Sequence, residues 1–204
     1  MKIAIIGLGF VGLSLTSVLA SKGYNIVGID IDREKCDKIS NGISPFFEPK
    51  LEKVLKNGLK KKLKISNKYS LINNCDFIFV TVGTPQNVNG SINLSIIKKA
   101  ISTIGENLQK SKKKPIIFIK STIIPGTIKK VILPILEKKS NKKEGKDFGL
   151  ISNPEFLQES SAIIDTKFPH VVVLGGNQTE FMKKAKKLFT KLHPNVPIIN
   201  TNHQ

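Results

Sequence analysis

The sequence predicts an α/β fold with a doubly wound, mostly parallel β-sheet and helices on both faces. Short apolar runs, typical of buried strands, alternate along the chain with longer segments of helical periodicity. Three glycines stand between the first such strand and the first helix. The chain has 204 residues, of which 40% are hydrophobic, so it is long enough to bury a core of ordinary size.

The elements follow from local patterns in chain order. Strands are predicted at residues 2–6, 25–30, 63–66, 76–82, 115–120, 149–152, 171–175 and 197–200. Helices are predicted at residues 11–23, 33–40, 51–56, 94–108, 128–138 and 180–192. Gly23 and Gly42 end two of these helices, and Asp32 is a candidate cap for the second one. Strands separated by helices of this length predict βαβ units in a single sheet.

The stretch GLGFVG places Gly7, Gly9 and Gly12 in G-x-G-x-x-G spacing between a strand and a helix. The first glycine permits a tight turn, the second lets a pyrophosphate approach the backbone, and the third allows close packing of helix and strand. The N–H groups near Phe10 and Val11 would then face the phosphates. This spacing with these flanks predicts a Rossmann-like dinucleotide site.

Asp30 ends the second strand, 18 residues after Gly12. A carboxylate at that point accepts hydrogen bonds from the ribose hydroxyls and repels a 2′-phosphate, so it predicts NAD over NADP. The alternative is that Asp30 caps the following helix, a role that Asp32 could fill. Arg33 and Lys35 lie close by in sequence and leave the exclusion of NADP open.

Composition excludes some classes of function. The net charge of +18 is spread over many lysines without interleaved aromatics, which indicates solvated helix faces more than a nucleic-acid site. No apolar run approaches the roughly 20 residues needed to cross a bilayer, so no membrane partner is expected. Cys36 and Cys75 form no metal spacing and no disulfide framework, which fits a reducing cytoplasm.

The strand ends carry a series of motifs: GLGFVG, GID, VGTP (residues 82–85), KSTIIPGT (120–127) and NPEFLQES (153–160). Together with ISPFFEPKL (43–51) and PHVVVLGG (169–176), this series resembles the NAD-dependent nucleotide-sugar 6-dehydrogenases. That family includes UDP-glucose and UDP-N-acetylmannosamine dehydrogenases. The resemblance covers essentially the whole chain, and it implies NAD as cofactor and a UDP-sugar as substrate, with NPEFLQES leaning towards UDP-glucose.

The resemblance also implies roles for individual residues. Cofactor contacts are implied for Gly7, Gly9, Phe10, Val11, Gly12, Asp30, Lys35, Thr84, Thr122 and Glu159. Contacts with the UDP-sugar are implied for Glu155, Phe156, Leu157, Gln158 and Glu159, and Glu155 with Thr122 would position the hydrolytic water. The alternatives are core packing for Phe156 and Leu157, and helix-start carboxylates for Glu155 and Glu159.

Some features depart from the family. Ser160 replaces a frequent glycine, Gln158 replaces a basic or small residue, and His170 stands where many relatives have an acid–arginine pair; it is a loop histidine or a specificity feature.

The family's catalytic cysteine, which carries a thiohemiacetal and then a thioester, lies in a glycine-rich loop that this sequence lacks. Both cysteines present are expected to be inert, packed thiols.

We therefore expect residues 1–204 to be an N-terminal NAD-binding domain without the central dimerisation helix and the C-terminal UDP-binding domain. It would be an expressed fragment, a truncated product, or half of a split enzyme whose other half is a separate chain. Alone it is expected to bind NAD and to turn over nothing, whereas the full-length family forms homodimers. The competing hypotheses are a UDP-N-acetylmannosamine dehydrogenase and a non-catalytic, regulatory NAD-binding module.

Overall fold

One eight-stranded sheet organises the computed structural model, which describes residues 1–177 and 179–202. The strands are β1 (Lys2–Ile6), β2 (Asn25–Ile29), β3 (Leu63–Ser66), β4 (Phe77–Val80), β5 (Ile116–Ile119), β6 (Gly149–Ser152), β7 (Val172–Gly175) and β8 (Ile198–Thr201). Their spatial order is β3-β2-β1-β4-β5-β6-β7-β8. All neighbours are parallel except β6 and β7, which are antiparallel and pair only at Ser152 and Gly175.

Among the described residues, seven α-helices flank the sheet. They are α1 (Phe10–Ser21), α2 (Arg33–Ser40), α3 (Leu51–Leu59), α4 (Ser95–Gln109), α5 (Leu133–Ser140), α6 (Ala162–Lys167) and α7 (Glu180–Leu192). One apolar core lies under α1, α3, α6 and α7, and a second lies under α4 and α5 on the opposite face. The predicted fold class, a doubly wound and mostly parallel sheet with helices on both faces, is confirmed.

The inner strands form because each is a run of β-branched and aromatic residues that can be buried on both sides. Phe79 of β4 and Phe118 of β5 stack with centroids 4.6 Å apart, and Phe189 of α7 meets Phe118 edge-on at 5.4 Å. These rings join sheet and helix into a rigid layer below the carboxyl ends of the central strands.

Three local features of the structure differ from the sequence predictions. The helix predicted at residues 128–138 begins as a π-helical turn, Ile128–Ile132, before α5 continues to Ser140. Pro134 has no N–H to donate to a carbonyl oxygen one α-helical turn earlier. The N–H of Leu133 donates to the carbonyl oxygen of Ile128, five residues earlier, and this spacing makes the turn wider than an α-helical turn. The structure also adds a 3₁₀ helix, Tyr69–Asn74, and the short helix α6, neither of which the sequence analysis predicted.

Because β1, β4, β5 and β6 run parallel, their carboxyl ends meet at one edge of the sheet. The glycine turn and the VGTP, KSTIIPGT and NPEFLQES stretches therefore share one side of the molecule, as expected for a doubly wound sheet. Within residues 1–177 and 179–202, none of the helices combines the length and the apolar character that crossing a membrane requires.

Candidate functional site

The glycine turn has the geometry that its spacing predicts. Gly7 adopts a φ of 92°, which favours glycine, and its N–H donates to the carbonyl oxygen of Ile29 at 2.8 Å. A Cβ at Gly12 would lie 1.8 Å from the Gly7 carbonyl oxygen and 2.5 Å from the Thr81 hydroxyl oxygen, so only glycine fits there. A Cβ at Gly9 would meet nothing within 4 Å. The turn is therefore closed at Gly7 and Gly12 and open at Gly9.

The open side of the turn suits an anion. Gly9 caps α1 and accepts the N–H of Leu13 at 2.8 Å, so the helix starts directly at the turn. No acidic side chain lies in the first turn of α1. A diphosphate there would meet unobstructed backbone N–H groups at the positive end of the helix dipole. These residues fit a dinucleotide.

Asp30 lies at the end of β2 with 7% of its surface exposed. Its Oδ2 accepts the N–H of Leu8 at 2.7 Å and the ammonium of Lys35 at 3.1 Å, and its Oδ1 accepts the N–H of Asp32 at 3.1 Å. The helix cap is Asp32, whose carboxylate accepts the N–H of Lys35 at 3.0 Å. The capping alternative for Asp30 is therefore wrong, and its carboxylate keeps capacity for a further hydrogen bond.

The loops after β4 and β5 are joined directly. The Thr84 hydroxyl donates to the carbonyl oxygen of Thr122 at 2.7 Å, and the Ser121 hydroxyl donates to the carbonyl oxygen of Val82 at 2.6 Å. The structure thus brings together the two threonines that the sequence predicts for the site.

Carboxylates shape the NPEFLQES segment. The Glu155 Oε2 accepts the N–H of Leu157 at 2.7 Å, and the Asp165 Oδ2 accepts the N–H of Gln158 at 3.0 Å. The segment is not helical: α6 begins only at Ala162, so neither glutamate of the motif lies in its first turn. The helix-start interpretation of Glu155 and Glu159 is therefore wrong.

Apolar side chains of this segment are available to a ligand. Phe156 is 60% exposed, so the core-packing alternative is wrong for this residue, whereas Leu157 is partly buried. Gln158 and Glu159 are exposed.

Two cavities open beside this segment. The first, of about 320 Å³, lies between the segment, α1 and α7 and is lined by Val11, Lys120, Glu155, Leu157 and His193 among others. The second, of about 290 Å³, lies against the KSTIIPGT loop. It is lined by Thr122 and Glu155 among others. Glu155 lines both cavities.

Three titratable residues that line the first cavity are not predicted for the site from the sequence, namely Lys120, Asp165 and His193. The Lys120 ammonium donates to the Asn153 backbone oxygen at 3.3 Å and to its side-chain oxygen at 3.2 Å. Burial lowers the pKa of Lys120 to about 8, and nearby Glu155 opposes this shift. Burial also lowers the pKa of His193 to about 4, helped by the charge of Lys22. The position of Lys120 directly after β5 could have drawn attention to it, but His193 carries no such signal.

Neither cysteine lines the two cavities, and the Cys36 thiol donates to the backbone oxygen of Asp30 at 3.5 Å. Cys36 lies in α2 and Cys75 lies just before β4, at the amino end of that strand, and both are buried. Burial raises the pKa of both thiols, that of Cys75 to about 11. Because the thiolate is the nucleophile, neither is suited to nucleophilic chemistry at neutral pH.

Comparison with known proteins agrees with this geometry. The model of the UDP-glucose/GDP-mannose dehydrogenase family, NAD-binding domain, matches residues 1–193. GDP-mannose 6-dehydrogenase of Pseudomonas syringae pv. tomato is 40% identical over 203 residues, covering 98% of this chain and 45% of that protein. UDP-glucose 6-dehydrogenase AglM of Haloferax volcanii is 31% identical over 204 residues, covering 98% of this chain and 47% of that protein.

A solved structure agrees with the sequence matches. A ternary complex of GDP-mannose dehydrogenase from Pseudomonas aeruginosa superimposes with a TM-score of 0.93 at 34% identity, covering 99% of this chain and 46% of that one. The chain thus spans about half the length of the relatives it matches.

Proposed function

Because the chain belongs to the UDP-glucose/GDP-mannose dehydrogenase family and matches its NAD-binding domain, we propose that it is the cofactor-binding part of a nucleotide-sugar 6-dehydrogenase. The observation that carries the proposal is the glycine turn, closed at Gly7 and Gly12, open at Gly9, and followed by the buried carboxylate of Asp30. NAD supplies a hydride acceptor for the oxidation of the sugar alcohol.

Within this proposal the chain binds the dinucleotide at its diphosphate and at its adenosine ribose. The N–H groups of Phe10 and Val11 bind the diphosphate, and Asp30 accepts from the adenosine ribose hydroxyls while Lys35 neutralises the remaining charge. Thr84 and Thr122, joined by their 2.7 Å hydrogen bond, and Glu159 complete the cofactor side.

The sugar side is formed by residues 155–159. Leu157 and the exposed ring of Phe156 offer apolar contact, and Gln158 and Glu159 offer polar contact. Glu155 and Thr122 both line the second cavity, where they would position the hydrolytic water. A carboxylate and a hydroxyl can orient a water for attack on an acyl group.

The substrate proposed is a nucleoside-diphosphate sugar. Six relatives at 35–40% identity are GDP-mannose 6-dehydrogenases, which supports GDP-mannose. UDP-glucose, expected from the motifs, is supported by the archaeal relative at 31% identity, and UDP-N-acetylmannosamine by a structural neighbour at 30% identity. Titration of each nucleotide sugar into the NAD+-saturated chain would rank them by affinity.

We expect the 204-residue chain alone to bind NAD and to perform no sustained oxidation, because both of its thiols are buried and have raised pKa values. A polypeptide carrying the family's C-terminal half, and a dimer formed with it, would complete the enzyme. Sustained NADH production by the pure chain with UDP-glucose or GDP-mannose would contradict this expectation.

The deciding experiment is a calorimetric titration with NAD+, with NADP+ as the comparison. The native chain should bind NAD+ in preference to NADP+, and Asp30→Ala should weaken NAD+ binding at least about tenfold, since a charge-assisted hydrogen bond is lost. Asp37→Ala is the matched control, because it removes an exposed carboxylate from α2, the helix that follows Asp30. Equal NAD+ affinity in Asp30→Ala and the native chain would overturn the assigned ribose contact.

A regulatory NAD-binding module remains the competing function. It predicts NAD+ binding by the native chain but no affinity for any nucleotide sugar. The titration of nucleotide sugars into the NAD+-saturated chain therefore separates the two functions.

A further inference from the structure

Glu48 is a buried carboxylate that the proposed function does not use. It belongs to the loop of residues 43–50 between α2 and α3, and only 6% of its surface is exposed. Its Oε2 accepts the N–H of Ser160 at 3.1 Å, and its Oε1 accepts the N–H of Ile163 at 3.5 Å. One side chain thus holds the end of the NPEFLQES segment from a position 112 residues earlier in the chain.

The same loop also touches the glycine turn. The ring of Phe46 lies 5.7 Å from the ring of Phe10, with the planes inclined at 47°. Phe10 is the first residue of α1. Inside the loop, the Ser44 hydroxyl donates to the carbonyl oxygen of Phe46 at 2.6 Å, which fixes the backbone that carries the ring. The loop therefore spans the distance between the cofactor turn and the sugar-facing segment.

Backbone strain is concentrated at this junction. Ser160 has a φ of 70° and Lys50 a φ of 67°, and Asn141 is the other non-glycine residue with positive φ in the described ranges. Such a conformation costs on the order of 1 kcal/mol and persists where the surroundings impose it. The bond from Ser160 N–H to Glu48 is one such constraint. By holding Ser160 in its strained conformation, Glu48 helps to fix the backbone direction of the preceding residues 155–159.

We propose that Glu48 is a positioning residue for residues 155–159, and that its loop couples them through Phe46 and Phe10 to NAD binding at the glycine turn. The sugar-binding role of residues 155–159 rests on the proposed function, but the coupling can be measured without a sugar. NAD bound at the glycine turn would fix Phe10 at the start of α1, and Phe10 would then restrain the ring of Phe46. Through the backbone of the loop, this restraint would reach the Glu48 carboxylate.

The test is hydrogen exchange of the backbone amides of residues 157–163 in the free and the NAD+-saturated chain. In the native chain, NAD+ should slow this exchange about tenfold, because exchange reports local opening. Glu48→Gln keeps the shape but offers one acceptor oxygen to two N–H groups. It should keep NAD+ affinity within about twofold and lose most of the NAD+-induced slowing.

Two further variants make the test decisive. Phe46→Leu removes the ring contact but leaves the carboxylate, so exchange in the free chain should stay native while the NAD+-induced slowing is lost. Glu106→Gln, which removes an exposed carboxylate on α4 bonded to Lys139, should behave as the native chain. If Glu48→Gln does not fold, Phe46→Leu still decides the question.

Native slowing in Glu48→Gln or in Phe46→Leu, or no slowing in the native chain although NAD+ binds, would overturn the coupling. Failure of the native chain to bind NAD+ would instead overturn the proposed function. Normal coupling with no affinity for any nucleotide sugar would leave Glu48 positioning the segment but would refute the assigned sugar site.

Discussion

The glycines of the turn make a matched pair of substitutions, Gly9→Ala and Gly12→Ala, that separates ligand binding from folding. At Gly9 the added methyl group meets nothing within 4 Å, and the backbone at φ −78° and ψ −162° is open to alanine. At Gly12 the same methyl group would lie 1.8 Å from the Gly7 carbonyl oxygen and 2.5 Å from the Thr81 hydroxyl oxygen. Gly9→Ala therefore probes the open space of the turn, and Gly12→Ala probes a backbone contact within the same turn.

The magnitudes follow from these distances. Gly12→Ala must push α1 away from β1, which costs about 1–3 kcal/mol as overpacking or more where backbone is struck. It also disturbs the hydrogen bond that the Thr81 hydroxyl shares between the carbonyl oxygens of Ile6 and Gly7, at about 1 kcal/mol. Gly9→Ala should leave the free energy of unfolding within about 0.5 kcal/mol of the native value, since reduced chain entropy offsets a poorer cap.

Urea unfolding and NAD+ titration of both variants measure these effects. Gly12→Ala should lose at least about 2 kcal/mol of the 5–15 kcal/mol typical of a domain. Gly9→Ala should fold normally yet bind NAD+ at least about tenfold more weakly, or about 1.4 kcal/mol, because its methyl group occupies the space of the diphosphate. Native NAD+ affinity in Gly9→Ala would refute the position assigned to the diphosphate, and native stability in Gly12→Ala would refute the packing argument.

Two further predictions concern stability. Ser160→Gly should raise the free energy of unfolding in urea by about 0.5–1 kcal/mol, because glycine adopts a φ of 70° without steric cost; an unchanged value would mean that Ser160 is unstrained. The pKa of His193, lowered by burial from 6.5 to about 4, means that the unfolded chain binds a proton first on acidification. Stability should therefore fall between pH 6.5 and 4 by up to about 3 kcal/mol, and His193→Gln should lack that part of the pH dependence.

The sequence predicted those parts of the fold and site that local chain geometry determines. The roles of Gly7, Gly9 and Gly12 depend on a turn of six residues, and Asp30 follows directly from the end of its strand. The antiparallel pairing of β6 and β7 was not predicted, because a strand's apolar pattern is the same in either direction and a single residue pair joins the two.

Long-range contacts explain the remaining omissions. Glu48 became recognisable only when the fold placed it against N–H groups 112 and 115 residues away. His193 has an apolar environment made by several elements, so its lowered pKa has no counterpart in the adjacent sequence.

The bonding of the NPEFLQES segment suggests what kind of ligand it suits. In a chain with 33 basic and 15 acidic residues, carboxylates of Glu155, Asp165 and Glu48 accept the N–H groups of residues 157, 158 and 160. These N–H groups are therefore unavailable to phosphate oxygens, which helix starts and glycine turns normally bind through free N–H groups. With these three donors occupied, the segment offers carbonyl oxygens and side chains, which match the hydroxyl donors of a sugar. The proposed division of the site, with the diphosphate of NAD at the glycine turn and the sugar at residues 155–159, is compatible with these three occupied N–H groups.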